Sequence, residues 1–251
     1  MTSKIKNNLI YLILGCLTAV MLYVIAYFAV GNDYILASPI EVVKSAITLY
    51  ATPSFYTALG FTLLRVLIAF LISFAAAVVI AVISYINPAI KGVLAVVVAI
   101  LRSLPVLAIL LVILTIPRRD FAPVTVCFLS LFPILYTAIL TSLSSVSKEH
   151  KQMCKVYKVP LSKQVKSLYL PKILPSLISS TASGISFAVK LIVSAEILAL
   201  VYGSIGSLIK EASIYPHTAE VLALSFSVCI IGVIVEFIGK ILSEKAEKKL
   251  L

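Results

Sequence analysis

Apolar residues along this chain run together instead of alternating with polar ones. Uncharged stretches extend from Asn7 to Asn32, Val66 to Ile90, Ser103 to Pro117, Phe121 to Ser147 and Ile173 to Val189. Most reach the roughly 20 residues that carry a helix across a hydrocarbon core. A closed barrel would instead alternate apolar and polar positions in segments of about 10 residues. The pattern predicts an all-α, polytopic membrane protein forming a single transmembrane domain over residues 1–251. Its six spans fall near 8–30, 56–85, 89–116, 122–145, 173–201 and 219–242. Lys4 and Lys6 precede the first run in the manner of a signal peptide. However, Leu9 to Val30 exceeds the ~7 to 15 residues of a signal core, and Gly31-Asn32-Asp33 offers no small-x-small cleavage pattern, so this run reads as a retained helix.

Punctuation within the runs refines these elements. Ser38-Pro39-Ile40-Glu41 has the order of a helix start, with a serine cap, proline at the first position and an acid in the first turn. The Val42, Val43, Ile47 and Leu49 that follow give this external segment an apolar face suited to an interface. The second span is long for an untilted crossing, which places Arg65 near the outer boundary, where it is expected to snorkel. Arg102-Ser103-Leu104-Pro105 interrupts the third span and predicts a kink turned toward protein, since proline removes a backbone donor and arginine faces lipid only at a cost. Pro133 bends the fourth. In the fifth, Ser179, Ser183, Ser186 and Lys190 recur at helical spacing and define one polar stripe.

Composition agrees with this reading. The chain is 61% hydrophobic and only 12% charged, about half the charged share of a soluble domain. A net charge of +11 would elsewhere suggest nucleic acid, but its placement gives it another meaning. With a cytoplasmic amino terminus and six spans, fourteen of the 21 basic residues fall inside, four outside and three (Arg65, Arg102, Lys190) within spans. That asymmetry is the one positive-inside insertion produces, and it puts both termini in the cytoplasm. Cys16, Cys127, Cys154 and Cys229 show no metal-ligand spacing and read as packing residues.

No phosphate-binding G-x-x-x-x-G-K-[ST], no G-x-G-x-x-G after a strand and no H-E-x-x-H occurs, so no catalytic residues or metal ligands are assigned and any energy source must come from elsewhere. Ionisable residues inside spans are the remaining pointers to function. Arg102, Pro105, Ser183, Ser186, Lys190 and Glu196 are candidate pathway residues. The alternative is that the serines ease helix packing, Lys190 snorkels or pairs with a neighbouring helix, and Glu196 approaches the outer surface.

Between the fourth and fifth spans lies a basic island, Lys151 to Lys172, with six lysines and no acidic residue. Met153, Val156 and Tyr157 recur there at helical spacing, Pro160 breaks the pattern, and Ser162 is placed to cap a second short helix before Leu170-Pro171 opens the next span. Lysines of such a helix-turn-helix can bind anionic lipid heads at about 1 kcal/mol each. Its apolar side suits a partner's groove.

The loop over residues 148–171 resembles the EAA loop of binding-protein-dependent ABC transporter permeases, whose pattern is Glu-Ala-Ala, three residues, Gly, nine residues, Ile-x-Leu-Pro. Aligned on Leu170-Pro171, Gln152-Met153-Cys154 stand on Glu-Ala-Ala, Lys158 on the glycine and Leu168 on the isoleucine. LASPIEVV from Leu36, TLLRVLIAF from Thr62, LRSLPVLAIL from Leu101, FPILYTAI from Phe132, KLIVSAEIL from Lys190 and GSIGSLI from Gly203 are similar to, and follow the order of, segments of nitrate/sulfonate/taurine-type permeases. The resemblance implies a type I importer fold with a cytoplasmic coupling helix, a second permease copy, two separate ATPase subunits that hold ATP and magnesium, and an external substrate-binding protein, in a bacterial cytoplasmic membrane. It makes Gln152, Met153, Cys154, Val156, Tyr157, Lys158, Pro160 and Leu161 the ATPase contact. It implies a small solute as substrate, an anion such as a sulfonate, taurine or nitrate among them. Competing readings are a gradient-driven secondary transporter and a permease for a vitamin precursor. Two departures bear on coupling. Gln152 lacks the usual acid, which points either to a partner with a more acidic cleft or to poorer coupling. Lys158 replaces a glycine free to take positive φ, so the turn is expected to pass to Val159-Pro160 instead.

Overall fold

Prolines and short polar caps divide the chain into helices. Ser38 accepts a hydrogen bond from the Glu41 amide at 3.3 Å and Pro39 takes the first helical position. Asn87 accepts from the Ala89 amide at 3.0 Å, again followed by proline. The computed structural model describes residues 2–115 and 119–250. The helices are α1 (Thr2–Val30), α2 (Pro39–Tyr50), α3 (Pro53–Ile86), α4 (Pro88–Ser103), α5 (Val106–Ile113), α6 (Ala122–Ser144), α7 (Lys148–Val156), α8 (Leu161–Gln164), α9 (Leu170–Ala199), α10 (Ile205–Ile214) and α11 (Thr218–Leu250). A 3-10 turn at Arg119–Phe121 precedes α6 and a π-helical turn at Val165–Tyr169 joins α8 to α9.

Among the described residues, four helical segments are long and apolar enough to cross a membrane: α3, α6, Ile173–Ala199 of α9 and Thr218–Ala246 of α11. Leu17–Val30 of α1 is a shorter apolar helix. The third run corrects the sequence expectation of one kinked helix. It is two helices, α4 and α5, meeting at 87°, a broken span or re-entrant turn. Leu104 (φ −70°, ψ 129°) and Pro105 (φ −67°, ψ 123°) are both extended, because the residue before a proline is driven out of the helical region and proline cannot donate to restore the ladder. The run's far end at Ile116, and Arg118, lie outside the described residues.

Helix α9 occupies the centre, packed against α11, α6 and α3, while α3 packs along α6 and α10 is held between α9, α11 and α3. The buried side of α3 carries Ala58, Thr62, Val66, Ala69, Ser73, Ala77, Ala81 and Ser84, spaced by three or four residues so that one narrow face meets its neighbours. Their small size lets backbones approach closely, the usual source of helix association where lipid removes the hydrophobic drive. The same device joins α9 to α11. A Cβ on Gly239 would overlap the Cβ of Ala182. Across this seam the Ser186 hydroxyl donates to the Gly232 carbonyl at 3.1 Å and the Ser243 hydroxyl to the Pro175 carbonyl at 2.7 Å. Helix α2 lies on α11 through Val42, which clusters with Ala37 and Ala223.

Candidate coupling loop and translocation surface

Helix α7 starts with a serine cap, Ser147, which accepts from the His150 amide at 3.4 Å. The carboxyl of Glu149 in its first turn is held below its ordinary value, first by a hydrogen bond from its own backbone amide and then by the Ser147 hydroxyl. At the other end, the Val159 amide donates to the Cys154 carbonyl at 2.9 Å and the Lys158 amide to the Lys155 carbonyl at 3.2 Å. These are the two bonds of a Schellman stop, which requires a left-handed residue between them. Lys158 is that residue, at φ +47°. The expectation that Lys158 would avoid this conformation is thus wrong. Two bonds worth about 1 kcal/mol each meet a left-handed penalty of roughly 1 to 2 kcal/mol, so the cap is affordable even with a lysine. The position that the resemblance aligns with a glycine thus holds a conformation that glycine adopts freely.

The chain then passes Pro160, whose carbonyl accepts from the Lys163 and Gln164 amides at 3.0 and 3.1 Å, while the Gln164 side-chain nitrogen closes the turn onto the Val159 carbonyl at 2.7 Å. Ser162 therefore sits inside α8 instead of capping it, a further correction. Leu170-Pro171 opens α9 as expected, and the helix enters it from the preceding π turn without a break. Tyr169 and Leu170 are both helical (φ −76°, ψ −53° and φ −58°, ψ −48°), and the Leu170 amide bonds back to the Val165 carbonyl. This widened π turn moves the carbonyls that Pro171 would otherwise strike, so Leu161 through Ala199 forms one continuous helical rod. The rod is tied to the C-terminal end of α3 where the Tyr169 and Tyr85 hydroxyls meet at 3.3 Å.

Of the residues expected to face a partner, Met153, Val156 and Tyr157 are 52%, 76% and 76% exposed. Gln152, Lys158 and Pro160 are also exposed. Cys154, expected in the same contact, is buried instead. The Leu161 side chain lies outside the described residues.

The pathway candidates separate. Ser183 and Lys190 are exposed, together with Ser179 and Ser194, on a stripe of α9 that the neighbouring helices leave open. Arg102 and Pro105 are exposed at the break between α4 and α5. Ser186, expected on the same stripe, is instead turned into the α9–α11 seam. Glu196 is 0% exposed and neither lines an open path nor approaches the surface. It accepts from the Arg65 guanidinium at 2.8 Å, the Thr62 hydroxyl at 2.9 Å and the Gly206 amide at 3.3 Å. The Ile205 amide donates to the Thr62 oxygen at 3.0 Å. Arg65 thus does not snorkel. It neutralises a buried carboxylate, and the cluster helps cap α10, whose first free amides donate to the two oxygens. Two left-handed residues, Leu200 (φ +54°) and Gly203 (φ +68°), reverse the chain between Glu196 and α10. Gly206 admits no side chain, since a Cβ there would lie 2.7 Å from the Ile197 nitrogen. The sequence held a signal for this knot in two opposite charges, each inside an apolar run, with Thr62 and Arg65 one turn apart.

An all-helical body with close-packed spans, a long helix running unbroken into a capped surface loop, and an exposed apolar triplet on that loop is the architecture of a transporter's membrane subunit. Residues 73–248 match the family of binding-protein-dependent transport system inner membrane components, and the chain belongs to that family. It is thus an inner membrane component of a binding-protein-dependent transport system, a permease subunit. Two solved structures of inward-facing forms of the MetNI methionine ABC transporter share the fold. One aligns at a TM-score of 0.63 with 15% identity over 77% of this chain and 96% of that one, the other at 0.55 with 15% identity over 78% and 94%. No curated protein matches the sequence.

Proposed function

We propose that the chain forms the translocation pathway of an ATP-driven importer as one of two permease copies, with α7 docking into a separate cytoplasmic ATPase and an external binding protein delivering a small solute. The observation that carries this reading is the mechanical continuity of the loop. Met153, Val156 and Tyr157 stand exposed on a helix whose connection runs through one rod, from Leu161 to Ala199, into the most centrally packed span. A partner that moves α7 moves the exposed stripe of α9 with it. Resetting a two-state pathway from 1:99 to 99:1 takes about 5.5 kcal/mol of differential binding, which is why ATP and magnesium held by the partner are needed as the source. The concentration of basic residues on the α7 side supports a cytoplasmic location for that side and both termini, in a bacterial inner membrane. Lys190 and Arg102, exposed cations on spans, favour an anionic solute of the sulfonate, taurine or nitrate kind.

Reconstitution into liposomes tests the reading. Uptake is expected only when ATP, the ATPase and the binding protein are all supplied. Uptake driven by a proton or sodium gradient without ATPase would establish a secondary transporter instead. Tyr157→Asp is expected to leave the permease folded and monodisperse but to abolish co-purification with the ATPase. Undiminished association would take Tyr157 out of the contact.

A further inference from the structure

The loop from Lys148 to Lys172 carries seven lysines and a single acid, Glu149. Lys155, Lys158, Lys163 and Lys166 are exposed, and among the described residues none forms an ion pair. Along α7 the positions of Lys148, Lys151 and Lys155 follow at spacings of three and four, and Lys158 continues the series into the cap. Met153, Val156 and Tyr157 occupy the other flank, also at spacings of three and four. Cys154, between the two flanks, is buried. The helix therefore offers chemically different surfaces on its two sides, fixed in orientation by the Schellman stop and the Gln164–Val159 bond.

A flat anionic bilayer can engage one flank of such a helix only while turning the other away. A groove has two walls and meets both. The geometry points to an ATPase partner whose docking groove is two-sided, apolar where it receives Met153, Val156 and Tyr157, and acidic where it faces Lys155 and Lys158. The inference rests on the coupling role proposed above and adds the chemistry of the partner. The acid at the position of Gln152 is dispensable in such a groove, because attraction runs from lysines on the permease to carboxylates on the ATPase. Contacts of this kind act chiefly on association rate and specificity, and they weaken as salt shortens their range.

The experiment uses the full-length permease in detergent with the ATPase of the same transporter. Affinity is read by surface plasmon resonance between 50 and 500 mM NaCl, and folding of each variant by size exclusion. Wild type is expected to weaken as salt rises. Lys155→Glu/Lys158→Glu is expected to lose about tenfold in affinity at low salt and to flatten the salt dependence. Lys155→Gln/Lys158→Asn, whose asparagine tolerates the left-handed turn, is expected to fall between them. Replacing acidic residues of the ATPase groove by lysine should restore binding to the glutamate variant selectively. The inference is overturned if both lysine variants bind as wild type does at every salt concentration while Tyr157→Asp still abolishes binding, since the coupling role then survives without the acidic wall. If Tyr157→Asp also binds normally, the coupling role itself falls. If the lysine variants keep the ATPase but lose retention on vesicles containing phosphatidylglycerol, the lysines serve the membrane and the acidic wall is rejected.

Discussion

At the residue scale, Lys158 shows how a left-handed turn suited to glycine can be held by another residue. Lys158 stands at φ +47°, held there by the two amide bonds that stop α7. Lys158→Gly is expected to relieve roughly 1 kcal/mol of that strain, partly offset by the freer unfolded chain. Lys158→Ile, with a branched Cβ at positive φ, should cost at least as much in the other direction. Hydrogen exchange of the Lys158 and Val159 amides is the measurement. Exchange should slow in the glycine variant and quicken several-fold in the isoleucine variant, and equal rates in both would mean the left-handed turn is not populated. This residue also marks a limit of sequence reading. The frame from Gln152 to Leu170-Pro171 and the exposed triplet were legible because spacing and hydrophobicity are local. The turn was assigned to Val159-Pro160 because the lysine's backbone penalty was visible and the two bonds that outweigh it were not.

At the scale of elements, the junction of α3, α9 and α10 is a charge-neutral knot inside apolar surroundings. Removing Arg65 strands the Glu196 carboxylate, so Arg65→Ala is expected to destabilise by about 3 to 5 kcal/mol. Arg65→Met/Glu196→Met removes both charges and should cost markedly less than the sum of the two single changes, a coupling that a double-mutant cycle by thermal unfolding in detergent would read. Additive effects would mean the pair does not form. The knot was missed because its partners lie 131 residues apart in sequence, and neighbour spacing along one helix says nothing of such pairing. The break between α4 and α5 was legible in kind, from Arg102 to Pro105, but not in degree. One proline predicts a kink, whereas 87° requires both Leu104 and Pro105 to be extended, and that depends on what the two halves pack against. The sequence-level boundaries of the long apolar helices needed little more than the uncharged runs, since a hydrocarbon core permits few alternatives to a helix.

At the scale of the molecule, the question is which surface meets lipid and which meets water. Leu67, Leu71 and Val79 on α3 and Leu107 and Leu111 on α5 are exposed and apolar, as a lipid boundary requires. The open stripe of α9 is different, with Ser179, Ser183, Lys190 and Ser194 interrupted only by Phe187 and Leu198. A lysine facing lipid at a helix centre costs roughly 2.5 to 3.5 kcal/mol, so this stripe belongs against water or a second copy of the chain. In a cysteine-free background, single cysteines at Ser183 and Ser194 are expected to react with a charged maleimide about tenfold faster or more than cysteines at Leu71 and Leu111, because a charged reagent and the thiolate it attacks both need water. The rates at Ser183 and Ser194 should also change when ATP is added to the reconstituted complex, since the rod from Leu161 to Ala199 links this stripe to α7, the helix proposed to dock. Uniformly slow labelling at all four positions would place the stripe in lipid and remove α9 from the pathway. Fast labelling that ATP leaves unaltered would keep the pathway but break its link to α7.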